Sequence, residues 1–101
     1  MIKSENYRRM RSLRGYFERN IENDQHFNIN LQAAIKINDQ LDQMENIDRN
    51  TAVAIISTIE EAEKAGCHDG SGWYEYKLLL RHVLRENGIE TDFTGNKIVL
   101  Q

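Results

Sequence analysis

Four side chains able to do nucleophilic, acid–base or metal chemistry crowd one short stretch. Cys67, His68, Asp69 and Ser71 all lie within GCHDGSGWYEY, residues 66–76. A cysteine nucleophile acts as its thiolate and needs a base within hydrogen-bond reach, with donors to hold an oxyanion. His68 is the immediate neighbour of Cys67, and adjacent side chains usually diverge. His26 and His82 lie far away in sequence, and no spacing directs them to the thiol. The expectation is therefore no catalysis and no catalytic residue, with Cys67 a small, half-buried residue just past a helix end.

The same residues are of metal-ligand type. Structural zinc takes four ligands, commonly in closely spaced pairs, and the sequence contains no CxxC, HxxxH or HExxH. Cys67, His68, Asp69, His26 and His82 would serve only if the fold gathered them. No metal site and no cofactor are expected. Gly70, Ser71 and Gly72 lead straight into an expected helix start, where free N–H groups and the helix dipole favour an anion. The phosphate-binding patterns GxxxxGK[ST] and GxGxxG are absent, and Asp69 would repel a phosphate. Binding of a small anion such as a nucleotide at residues 70–73 is thus a second alternative. The simpler expectation is a joint: Gly66 stops one helix and Ser71 caps the next.

Charge is distributed unevenly. Residues 1–19 carry Lys3, Arg8, Arg9, Arg11, Arg14 and Arg19 against Glu5 and Glu18, a net +4 in a chain of net −3, so the remainder carries −7. A basic arm on an acidic body suits an acidic partner, another copy of the chain, or the chain's own acidic surface.

Ser4 can cap a first helix, over about 4–20, whose Tyr7, Met10, Leu13, Phe17 and Ile21 form one apolar stripe. Gly15 within it marks a close helix crossing or a bend. Asn28 or Asn30 can cap a second helix, over about 29–46, with a broad apolar arc from Leu31 to Met44. A third, over about 50–65, is capped by Asp48 or Asn50. Its TAVAIISTI is β-branched, but Ala52, Ile55, Ile56, Ile59 and Ala62 keep helical spacing. Trp73, Tyr76, Leu79, Leu80, Val83 and Leu84 give a fourth helix over about 72–87, ended by Gly88 and Ile89. A hairpin over about 89–100 turns at Gly95 and Asn96. The fold class is mainly α (α+β): one compact four-helix domain over 1–101, closed by a C-terminal β-hairpin.

The fourth helix and the hairpin together resemble the end of a winged-helix domain. That resemblance implies that Lys77, Arg81 and Arg85, spaced i, i+4 and i+8, face a nucleic-acid groove, with Gly95, Asn96 and Lys97 tipping the wing. It covers about 30 residues and carries no specific motif. The link before the fourth helix is longer than the usual three or four residues, and the chain is acidic overall.

Composition bounds the rest. With 101 residues, 40% apolar and 29% charged, the chain makes one ordinary globular domain. A single cysteine suits a reducing compartment. The opening MIKSENYRRMRSLRG is not a secretory leader, and no apolar run approaches the roughly 20 residues of a membrane span, so a cytoplasmic protein with no membrane partner is expected. The favoured reading is a small non-enzymatic binding protein, a regulator or inhibitor of the kind phages and mobile elements encode. Its partner is another protein or a second copy, touched through Arg8, Arg9, Arg11, Arg19, Trp73 and Tyr74, residue types enriched at interface hot spots. The alternative is a nucleic-acid-binding regulator using Arg8, Arg9, Arg11, Lys77, Arg81 and Arg85.

Overall fold

A computed structural model describes residues 4–101; Lys3, counted above in the basic arm, lies outside them. The chain forms α1 (Glu5–Arg19), α2 (His26–Asp42), α3 (Arg49–Ala65), a 3₁₀ turn at Asp69–Ser71, α4 (Trp73–Glu86), β1 (Thr91–Thr94) and β2 (Lys97–Leu100). The class expected from the sequence, four helices and a C-terminal hairpin, is the one observed. Among the described residues, no helix is long and apolar enough to cross a membrane.

Local chemistry sets the boundaries. The Ser4 hydroxyl accepts the Tyr7 N–H and the Asp48 carboxylate accepts the Thr51 N–H, so α1 and α3 begin where a side chain satisfies an otherwise orphaned donor. Gly66 (φ +124°) ends α3: the Cys67 N–H reaches back to the Ala62 carbonyl in a Schellman closure. Gly88 ends α4 similarly, with the Ile89 N–H on the Leu84 carbonyl. α2 departs from expectation at both ends. It starts at His26 because Asp24, and neither Asn28 nor Asn30, accepts a helix-start N–H, that of His26. It stops at Asp42 rather than near residue 46, which leaves the chain free to turn Ile47 into the core before Asp48 caps α3.

α1 packs between α2 and α4, α2 also packs on α3, and the hairpin spans the other side, β1 on α4 and β2 on α3. Phe17, Ala34, Ile37, Ile55, Ile59, Trp73, Tyr76, Leu80 and Leu84 are fully buried at the centre. The Trp73 and Tyr76 rings stack at 5.4 Å, and Phe17 lies 6.1 Å from Tyr76. Burying side chains of this size contributes roughly 1.5–3 kcal/mol each relative to exposure. Gly15 is not a close helix crossing, since a Cβ there would meet only the flexible end of Arg19, at 3.1 Å. The hairpin pairs Thr91 with Leu100 and Thr94 with Lys97. Its two-residue turn has positive φ at Gly95 and not at Asn96, the type II′ arrangement that matches strand twist.

Candidate functional site

The 66–76 turn joins α3 to α4, and the fold assigns most of its reactive residues to structure. Cys67 is buried, and burial followed by the nearby negative charge of Glu63 pushes its thiol up to about 12. A thiol in such surroundings is inert rather than nucleophilic. Ser71 is not the cap of α4. It sits buried in the 3₁₀ turn, where its hydroxyl donates to the His68 carbonyl and accepts from the buried Asn30 amide at 2.7 Å. Gly72 (φ +83°) stands at the start of α4 instead, close against Phe17 and Tyr16. The expected anion cradle therefore has its hydroxyl turned inward, committed to α2.

Lys77 was placed by the sequence on an exposed basic stripe; the structure overturns this. Its side chain is 0% exposed, with Nζ 2.7 Å from Glu63 on α3, 2.9 Å from Asp69 in the turn and 2.6 Å from the Asn96 carbonyl at the hairpin tip. Burial works against the ammonium, but the hydrogen bonds and charges of Glu63 and Asp69 together outweigh it and raise its pKa. Trp73 Nε1 donates to the same Glu63 oxygen at 3.2 Å. Arg81 is likewise committed. It lies 4.7 Å from the Phe93 ring centre and donates to the Thr91 side chain and carbonyl. Arg85 stays half exposed, 3.6 Å from Glu90. The hairpin thus takes up Lys77 and Arg81, two of the three stripe residues that the winged-helix resemblance would present to a groove, and leaves Arg85 exposed.

Trp73, an expected contact residue, is fully buried, while Tyr74 is 44% exposed and stacks on Phe93 at 5.4 Å. The four α1 arginines expected as contacts divide into two groups. Arg11 donates from one guanidinium nitrogen to both carboxylate oxygens of Asp42 on α2, each at 3.0 Å, and Asp42 also accepts the Tyr7 hydroxyl. Burial, then Asp42, push that phenol up to about 12. Among the described residues, Arg8 and Arg9 pair only with Glu5 of their own helix, at 3.7 Å and well exposed, and Arg19 is exposed at the far end. Beside them runs a groove between α1 and α4, lined by Arg9, Ser12, Leu13, Tyr16, Glu75 and Leu79. Tyr16 is 39% exposed and was missed in the sequence. It lies off the apolar stripe of α1, and only that displacement could have flagged it.

The fold also makes one unexpected gathering. His26 and His68 meet edge to face, ring centres 5.1 Å apart, and Asp24 joins them through an oxygen 2.9 Å from His26 Nδ1. Of the five potential ligands read from the sequence, only these two histidines approach each other as a potential ligand set, and Asp24 was not among the five. The Asp24-x-His26 spacing was the available signal. The His26 backbone N–H, then its ring, hold the Asp24 carboxyl below its usual range. The chain matches no protein-family model, no curated protein and no solved structure.

Proposed function

We propose that this is a non-enzymatic binding protein that recognises an acidic protein partner through the outer face of α1 and the α1–α4 groove, acting as a regulator or inhibitor. One observation carries the reading: Arg8, Arg9 and Arg19 remain exposed on a helix whose opposite face is buried, beside a groove with an apolar floor of Leu13 and Leu79 and an exposed Tyr16. An apolar floor with an arginine and tyrosine rim is the composition of an interface centre. An acidic amphipathic segment would complement it in both charge and shape. Among the α1 arginines, Arg11 alone pairs with a carboxylate of α2.

Nucleic acid is the weaker alternative, because Lys77 and Arg81 are held by the hairpin and the body is acidic. Affinity capture from lysate with and without nuclease, comparing the wild-type protein with an Arg9→Glu/Tyr16→Ala variant, separates the two. The proposal expects a discrete protein that the wild type retains and the variant loses. A captured species that disappears with nuclease, or that both proteins hold equally, would refute it.

A further inference from the structure

The geometry points to a surface site for one divalent transition-metal ion, zinc above all, formed by Asp24, His26 and His68. This lies apart from the partner reading and does not depend on it. The three donors come from two segments far apart in sequence, the loop before α2 and the turn after α3, and one ligand atom from each lies within 4.8 Å of the others. Two imidazoles with a carboxylate suit zinc, copper or nickel, whereas magnesium and calcium prefer oxygen-rich sites. Asp24 Oδ1 and His26 Nδ1 are 2.9 Å apart. With metal–ligand distances of about 2.1 Å, that separation subtends about 90° at an ion, a workable angle between neighbouring ligands. All three residues are exposed, so water or a partner's side chain can complete the coordination.

Helix capping accounts for Asp24 beside His26, since the carboxylate accepts the His26 N–H. It does not account for His68, and several features fix His68 in place. Its carbonyl accepts both the N–H and the hydroxyl of Ser71. Gly70 leaves room for the ring, since a Cβ there would lie 3.3 Å from His68 Nδ1. Gly66 lets the turn press on the start of α2, since a Cβ there would come within 3.0 Å of Ile29 and 3.9 Å of His26. The backbone thus brings the two histidines side by side, and a small movement of their exposed rings closes the donors onto one ion.

The test is calorimetric titration of the full chain, free of any polyhistidine tag, with zinc chloride and separately with magnesium chloride at neutral pH. The site predicts saturable zinc binding at one ion per chain and none of magnesium. His26→Ala and His68→Ala should each weaken zinc by at least about tenfold, while His82→Ala, which alters the one remaining histidine, should bind as wild type. Thermal melting in chelator checks that the exposed variants fold. In wild type, and not in His68→Ala, zinc should raise the melting temperature, because an ion that joins two segments binds the folded chain preferentially. Absent or non-saturable zinc binding, or a His68→Ala variant that binds like wild type, would overturn the site.

Discussion

Lys77 carries its charge with no part of the side chain exposed, and three separate segments supply the oxygens that make this tolerable. Breaking a buried ion pair typically costs 3–5 kcal/mol, because charges are left without partners. Here Glu63 and Asp69 keep some contact with solvent, so the cost of Lys77→Ala should be about 3 kcal/mol, toward the lower end. Lys77→Met, which preserves the packed stem, should cost less. Urea denaturation checks both, and a loss under about 1 kcal/mol for Lys77→Ala would mean that the network adds little. Cys67 gives a second residue-level expectation. Its buried thiol should react with a disulfide reagent at pH 8 at least about 100-fold more slowly in the folded than in the unfolded chain. Equal rates would show the thiol to be accessible. The burial of Lys77 was not legible in the sequence, whereas Cys67 was already placed there as a small, half-buried residue just past a helix end. The i, i+4, i+8 spacing of Lys77, Arg81 and Arg85 describes one helix face, but it cannot say that a hairpin covers that face.

Among the elements, α3 and α4 were the most legible. Their apolar residues keep helical spacing over four turns, and for TAVAIISTI that periodicity outweighs β-branched propensity. The limits of α2 were less legible, because they depend on a cap by Asp24 and on the burial of Ile47, a tertiary contact. The role of Ser71 was misread for the same kind of reason. A serine two residues before a helix suits a cap locally, but the buried amide of Asn30, 41 positions earlier, claims its hydroxyl. Gly72 and Gly88 offer a matched test of the α3–α4 joint. Both have φ +83°, yet a Cβ at Gly88 meets nothing within 4 Å, while one at Gly72 meets Phe17 and Tyr16 at 3.3 Å. Alanine at either position should cost about 1–2 kcal/mol for the left-handed backbone, and Gly72→Ala should cost more through packing. Equal losses in chemical denaturation would mean that α1 yields at that contact.

On the scale of the whole molecule, folding shifts several titrations in the same direction. Burial makes Cys67, Tyr7 and Tyr76 harder to ionise folded than unfolded. Above about pH 9 the unfolded chain therefore loses protons that the folded chain retains, and stability falls as pH rises. Lys77 adds to this trend: its raised pKa makes its contribution complete below about pH 10 and lost as pH climbs through the folded value. The lowered carboxyls of Asp24 and Asp48 act at the other end, stabilising above about pH 4 and ceasing to do so as pH falls. Urea midpoints should thus be highest between about pH 5 and 8, and a midpoint unchanged from pH 8 to pH 11 would contradict the burial of these groups.

The overall charge asymmetry was visible in the sequence, but how each arginine is used was not, since Arg11 is committed to Asp42 while Arg8, Arg9 and Arg19 stay exposed. On the reading proposed above, this exposed face of α1 receives a protein. Site-specific photo-crosslinking tests it directly, with a photoreactive residue at position 16 and, as a control, at position 36 on the exposed side of α2, both in nuclease-treated lysate. One protein adduct is expected from position 16, weak or absent from position 36, and lost when Arg8, Arg9 and Arg19 are changed to glutamate. No protein adduct at position 16, or one indifferent to those charge reversals, would contradict it.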